Sequence, residues 1–412
     1  VGILVQTREV EVIDDLLSYA DPHQPLAWLR LGDGIVAAGS QLAASLRAAK
    51  GDMDASRTKA LAQKWREFTA DAEIDDPLGL PGTGLVAFGA LVFDENSNAE
   101  SVLLVPSVIV GRHEGRCWVT RIGNTSESAS TTDYGEYWTG TLSAGTQNDT
   151  GYINSVHRAL ELIESGEVEK VVLARDLSGT VPDNADLRRL IRSLTNSYPD
   201  TWGFAVDGLI GASPETLVTA QSGVATSRVL AGTMARGNDP ETDAAASAAL
   251  TGSAKDRGEH EYAVHSVVAS LLPHASRLTH DEHPFLLELP NVFHLATDVA
   301  AELNEGTTVL DLVADVHPTA AVAGTPRDAA MRTIRELEPF DRGRYAGPVG
   351  WVDSAGNGQW AIALRCAQFT PVEGVATRVT AYAGAGIVAG SDPAAELLET
   401  QVKFRPIVDA IT

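Results

Sequence analysis

The sequence predicts an α+β (α/β) fold in which antiparallel sheet carries the core and helices pack beside it. Three observations predict it. Strand-like runs follow one another between residues 82 and 122 with only short turns between them, a spacing that suits antiparallel neighbours. Helical stripes of period 3.6 recur before and after those runs. The one glycine-rich run that could open a dinucleotide fold, GAGIVAG at Gly384–Gly390, is followed by only 22 residues (391–412), too few for the βαβ unit such a fold requires.

The elements read in order as follows. Leu42, Leu46 and Ala49 fit one helical stripe, and Leu61, Trp65 and Phe68 fit another. Residues 82–93 read as a buried strand, and 101–110 and 117–122 as the next two, with a turn at Gly111–Gly115. Residues 124–151 are rich in Ser, Thr and Gly and predict a linker or mobile loop. A helix starts near Asp149, with Ile153, Val156, Leu160 and Ile163 as its apolar positions and Gly166 as its stop. Strands are expected at 168–173, and at 203–210 and 217–220 around a Gly-Ala-Ser-Pro turn. A long helix follows at 255–272, another near 327–337, strands at 347–352, 360–367 and 378–383, and a helix from about 393 to 411.

Charge narrows the function. The chain has 31 basic and 55 acidic residues, a net of -24, so nucleic acid and anionic membrane surfaces are poor partners. A small anionic substrate remains possible where a local positive cluster or a cation offsets the field. The longest strongly apolar stretch, Leu85–Phe93, has nine residues, far short of the roughly 20 that span a bilayer. Two cysteines make neither a disulfide framework nor a zinc cluster, and no basic-then-apolar leader follows Val1. A reducing, cytoplasmic setting is expected.

Of the 31 basic residues only six are lysines, and only Lys170, Lys255 and Lys403 lie beyond residue 64. Arginine keeps its proton in proteins, whereas a desolvated lysine can give it up, so these three are candidates for chemistry. His260-Glu261-x-x-x-His265 misses a zinc-protease motif, because histidines five apart point to different sides of a helix. Glu396, Glu399 and Lys403 share one face of the final helix, and Glu259 shares a face with Ala263, Ser266 and Ser270. Glutamates converging from two helices, together with water, suit Mg²⁺. A solvated, salt-bridged surface would produce the same spacing.

The ordered runs KVVLAR (170–175), GASPETL (211–217), LAGTMARG (230–237), KDRGEHEYAV (255–264), HLATDV (294–299), HPTAAVAGTP (317–326), ELEPFDRGRYAGPVGWVDSAGNGQWAIALRCA (336–367) and AYAGAGIVAGSDPAAELLETQVK (381–403) resemble the chorismate-utilising enzymes, among them isochorismate, salicylate, anthranilate and aminodeoxychorismate synthases. The resemblance covers roughly residues 150–407. It implies one large domain of two large, mostly antiparallel sheets enclosing a layer of helices, with a variable part over 1–150 and a chorismate-binding catalytic part over 151–412.

By motif position, the resemblance implies Glu259 and Glu399 as direct ligands of Mg²⁺, with Glu396 acting through water. Arg365 and Tyr345 would bind the enolpyruvyl carboxylate. Lys403 and the backbone near Gly384 and Gly386 would meet the ring carboxylate, and Gly232, Thr233 and His294 would line the pocket. Lys170 would activate water and Glu215 would be the partner acid, so chorismate would become isochorismate. Relatives that use ammonia typically carry Gln at the position of Lys170. Hence a monomer without a glutamine amidotransferase subunit is expected. Ala321 stands where salicylate formers tend to carry Thr, which favours stopping at isochorismate over pyruvate loss. A non-catalytic relative is disfavoured because the acid, base, metal and carboxylate positions are all filled.

Overall fold

The computed structural model describes residues 2–51, 56–126, 128–237, 239–288, 292–372 and 376–412; of Thr233, Lys255, Glu259 and Val292 only the backbone is described. Among these residues the strands form two sheets, one of thirteen strands and one of ten. In the first, strand Lys170–Val181 lies between Thr141–Ala144 and Ala376–Val388. The order then runs through Cys366–Val372, Leu209–Ser213 and Trp202–Val206 to strands of the first 122 residues. In the second, Val292–Leu303 pairs with Val224–Ala235, followed by Thr216–Gln221, Gly358–Ile362, Pro348–Asp353, Val86–Ala90, Ser101–Pro106 and Leu42–Ala48. Among the described residues all pairings of strands are antiparallel except that of Leu4–Val10 with Glu73–Asp75; an isolated parallel bridge joins Ala20 to Gly39. Residues before 123 therefore contribute strands to both sheets.

The main core joins one face of the first sheet to the second sheet through helices Arg57–Thr69, Asp149–Glu164, Ala254–Leu271, Val309–Val316 and Arg327–Leu337. A second core covers the other face of the first sheet. There Leu190, Ile191 and Leu194 of helix Arg188–Ser197 pack on strands Trp202–Val206 and Leu209–Ser213, and Phe404, Ile407 and Ile411 of helix Pro393–Ile411 pack beside Val379, Ala381 and Ala383. Local chemistry sets the helix starts. The side chain of Asn148 accepts from Gly151 N at 2.9 Å, and Asp392 accepts from Ala395 N at 2.8 Å with Pro393 opening the final helix.

The structure corrects the sequence reading in five places, one of them the run 360–367, which breaks so that Gly358–Ile362 joins the second sheet and Cys366–Val372 the first. Leu42–Ala48 is a strand, not a helix; pairing with Ser101–Pro106 overrides a stripe of only three residues. The run 101–110 breaks at Ser107, so that Ser101–Pro106 joins the second sheet and Val108–His113 the first. The run 203–210 is a hairpin, turned by Asp207 (φ 50°) and Gly208 (φ 77°). In helix Asp149–Glu164 the buried positions are Tyr152, Val156, Ala159 and Leu162, a face displaced from the expected one.

Residues 128–140 contain no regular element but are tied down. Gly135 N and Trp138 Nε1 donate to Asp186 Oδ2 and to the Asp186 carbonyl, both at 2.9 Å. The Arg188 guanidinium lies 4.6 Å over the Tyr134 ring. Burial, helped by Asp15 as acceptor of its hydroxyl, pushes the Tyr134 phenol up to about 12.

Candidate active site

A cavity of about 440 Å³ opens between the two sheets. Lys170, the first residue of its strand, lines it, as do Glu215, Thr216 and Leu217 where the chain crosses from the first sheet to the second. Strand residues Ser227–Ala231 form one wall. Tyr262, Ala263, Ser266 and Ser270 of helix Ala254–Leu271 form another, and Thr319, Ala320 and Ala321 close a third side. Glu259 stands one turn before Ala263 on that helix, on the face that lines the cavity. Its side chain lies outside the described residues.

Glu215 is half-buried where it meets the cavity. Burial pushes its carboxyl up to about 7, against the opposing pull of the Lys170 and Lys403 charges. A carboxyl held near neutrality can donate a proton at physiological pH and take it back.

The remaining expected residues fall into two groups beside the cavity. The first runs along strand Ala376–Val388. Gly386 pairs with Val172, and a Cβ there would sit 3.4 Å from Lys170 Cε. Gly384 pairs with Ala174, and a Cβ there would meet the Leu173 carbonyl at 2.8 Å and the Tyr345 hydroxyl at 3.2 Å. Lys403 Nζ donates to the Gly384 carbonyl at 2.8 Å and to Glu399 Oε1 at 2.6 Å. Tyr345 is buried and stacked on Tyr382 with centroids 5.1 Å apart. Arg365 lies close enough to feel Tyr345 and Glu399, while burial holds its pKa down. Glu396 sits one turn before Glu399; burial pushes its carboxyl up, and the Glu399 charge adds to that.

The second group is Gly232 and His294, beyond Ala231 on the paired strands Val224–Ala235 and Val292–Leu303. Gly232 has φ +78° at an irregularity where Thr233 comes opposite His294. Burial holds the His294 imidazole down, against a hydrogen bond with the Gly232 backbone. These two do not line the cavity, and the side chain of Thr233 lies outside the described residues. Among the described residues no three His, Cys, Asp or Glu side chains come together to hold a metal. Glu396 and Glu399 are hard oxygen donors whose crowding a divalent cation would relieve, so their chemistry fits Mg²⁺.

Sequence reasoning missed several cavity residues. Tyr262, Ser266 and Ser270 recur every four residues on the face of Ala263, a signal that Tyr262 extends the expected stripe. Glu169 and Arg228 line the cavity, with Arg228 paired to Asp298 at 2.6 and 2.8 Å; nothing in their local sequence marks them. Glu338 and Arg342 fall inside the motif that begins at 336, yet nothing in their spacing shows that they form a buried pair, which holds the backbone beside Lys170.

An acid whose pKa is higher in the folded than the unfolded chain takes up a proton on folding. Its effect on stability is therefore a loss as pH rises from about 4.5 through about 7, with a plateau above. Glu215→Gln should raise the thermal midpoint relative to wild type more at pH 8 than at pH 5. Equal shifts at both pH values would show that Glu215 ionises normally.

Comparison with known proteins places these features in context. A family model described as "Chorismate binding enzyme" matches residues 3–412. Isochorismate synthase DhbC of Bacillus subtilis is 40% identical over 272 residues, covering 63% of this chain and 67% of the relative. Isochorismate synthase EntC of Escherichia coli K12 is 37% identical over 265 residues, covering 63% and 66%. The solved structure of MenF, the menaquinone-specific isochorismate synthase from Escherichia coli, superposes with a TM-score of 0.78 at 24% identity, over 100% of this chain and 95% of that one, a likeness of fold.

Proposed function

The chain belongs to the chorismate-binding enzyme family, and from that premise we propose that it is an isochorismate synthase, an isomerase that interconverts chorismate and isochorismate. The observation that carries this reading is that Lys170 and Glu215 line one cavity, with the Glu215 carboxyl poised near 7. The two similar synthases named above support it.

Lys170 takes a proton from water as the water oxygen bonds to C2 of the ring. Both ring double bonds shift, and the C4–oxygen bond breaks. The leaving hydroxyl departs as water with the proton of Glu215. The reverse reaction exchanges the two roles. One water enters and one leaves, so chorismate and isochorismate are isomers of similar energy. Arg365 and Tyr345 hold the enolpyruvyl carboxylate, the guanidinium as a planar fork. Lys403, already bonded to Gly384 O and Glu399, has a third donor for the ring carboxylate. The small residues Gly384 and Gly386 leave the backbone accessible beside Lys170, while Gly232, Thr233 and His294 lie beyond Ala231 on the paired strands, outside the cavity wall.

Glu259, Glu396 and Glu399 would hold Mg²⁺, which when bound offsets the charge of a dicarboxylate substrate in a chain of net charge -24. Lys170 supports water over ammonia as nucleophile, and with it a monomer without a glutamine amidotransferase subunit. Cys117 and Cys366 are buried free thiols, which supports a reducing cytoplasmic setting. No helix among the described residues is long and apolar enough to cross a membrane. The similar Escherichia coli structure is of a menaquinone-specific synthase and another similar structure is of a 2,3-dihydroxybenzoate-specific one, so menaquinone and siderophore biosynthesis are both open as fates of the product.

The experiment is incubation with chorismate and Mg²⁺, followed by chromatographic separation of isochorismate, salicylate and anthranilate. Isochorismate in equilibrium with chorismate supports the reading. Anthranilate formed with ammonia would overturn it. Lys170→Gln should lower kcat by about 10² to 10⁴-fold in a folded protein that still binds chorismate. Lys170→Arg should fail as badly, since a guanidinium does not deprotonate.

Chelation gives a second test. EDTA should silence the wild type and Mg²⁺ should restore it, while Glu399→Ala should remain folded and lose the response to added Mg²⁺. Full activity in chelator would sink the metal assignment.

Ala321 lines the cavity, where it can border the enolpyruvyl chain. Ala321→Thr should raise pyruvate release, read by coupling to lactate dehydrogenase. Stoichiometric pyruvate from the wild type would favour a salicylate synthase instead.

A further inference from the structure

Strand Lys170–Val181 has two edges. One pairs along its whole length with Ala376–Val388. The other is paired only near its ends, Lys170 and Val171 with Gly324–Thr325, and residues 177–180 with Thr141–Ala144. Between them, among the described residues, no strand lies alongside 172–176. That edge still carries backbone groups that must be answered. Val172 N donates to the Ala323 carbonyl at 2.9 Å. The Val172 carbonyl accepts from Arg342 Nη2 at 2.7 Å, and Ala174 N donates to Glu338 Oε1 at 2.8 Å. Two side chains thus replace the missing strand.

They also replace it with a joint. Arg342 Nη1 donates to the Val322 carbonyl at 3.0 Å, and Nε and Nη2 donate to Glu338 at 2.8 and 2.5 Å. The guanidinium lies 4.3 Å over the Phe93 ring. The side chains of Arg342 and Glu338 are only 3% and 2% exposed. A pair so deeply buried is a poor source of stability compared with apolar side chains of the same size. What it supplies is direction, with bonds to Val172, two residues from Lys170, and to Val322, the neighbour of Ala321.

We propose that Glu338 and Arg342 are positioning residues of the reaction, fixing the strand that presents Lys170 against the loop that presents Ala321. The proposal rests on the reading of Lys170 as base and of that loop as a wall of the substrate site. Neither side chain touches substrate; each acts through the backbone it holds.

Three variants test it: Arg342→Lys, which keeps the charge but loses the fork; Glu338→Gln; and the apolar double variant Arg342→Met with Glu338→Leu, which removes the ion pair as a unit. Each is assayed for kcat and KM with chorismate, and for hydrogen exchange at amides 172–174 and 322–323 without substrate. Misplacement on the ångström scale should lower kcat by about 10²-fold with KM within about threefold of wild type, and exchange at those amides should quicken. A folded double variant with kcat within about twofold of wild type would overturn the proposal. If the double variant does not fold, Glu338→Gln decides by the same criterion. A wild type that makes no isochorismate would defeat the functional reading alone. The exchange data, taken without substrate, would still decide whether the pair clamps the two segments.

Discussion

The pairing of strand Lys170–Val181 with strand Ala376–Val388 is the constraint on which the rest of the site depends. Twelve residues meet twelve without an irregularity, from Lys170 opposite Val388 to Val181 opposite Thr377. Because side chains alternate along a strand, this register determines which residues share a face with Lys170. It sets Gly386 opposite Val172 and Gly384 opposite Ala174, where side chains would crowd Lys170, the Leu173 carbonyl and Tyr345. It also fixes where the final helix begins. That helix returns along the strand so that Lys403 reaches the carbonyl of Gly384. A slip of one residue would put the glycines on the wrong face and take the helix with them.

The strand that holds Lys170 is tied on every side by polar groups as well as by packing. Arg175 donates to Thr400 Oγ1 at 3.0 Å, between Glu399 and Lys403 in sequence, and pairs with Asp149 at the start of a helix. Its guanidinium lies 5.3 Å over the Phe404 ring. Two residues of one short motif, Lys170 and Arg175, therefore serve different ends, one facing the cavity and one bracing the helix that carries the carboxylates. The acid is held differently. Glu215 follows Ser213, whose hydroxyl donates to the Ile362 carbonyl at 2.5 Å, and its position at the crossover puts it within reach of both sheets.

Much of this was legible in the sequence, for reasons that can be named. Long helices with strong caps, such as Pro393–Ile411, are read from local signals alone: Asp392 as cap, Pro393 at the first position, and glutamates one turn apart. Lys170 stood out because the chain spends so few lysines. Leu42–Ala48 was illegible because its strand identity comes from a partner some sixty residues away. The paired strands Val224–Ala235 and Val292–Leu303 were obscured by small and polar residues that a half-covered sheet tolerates. The Glu338–Arg342 pair was hidden for another reason: opposite charges four apart suit an exposed pair as well as a buried one, and only the fold shows that they are sealed inside. The segment 128–140 looked like a linker because its composition is polar, yet arginine–tyrosine stacking and the Asp186 carboxylate hold it.

The order of strands has a consequence for how the chain is made. Ala376–Val388 is inserted between Lys170–Val181 and Cys366–Val372, two strands separated by nearly two hundred residues of sequence. During synthesis on the ribosome, everything up to residue 375 can exist before the strand that joins those two edges. Until it arrives, the nascent sheet has an open slot bordered by long, mostly apolar edges, the kind of surface that invites pairing with other chains. Contacts this distant in sequence also form slowly. The nascent enzyme is therefore most vulnerable to aggregation just before its active site can form, and assistance from a holding chaperone would matter most in that interval.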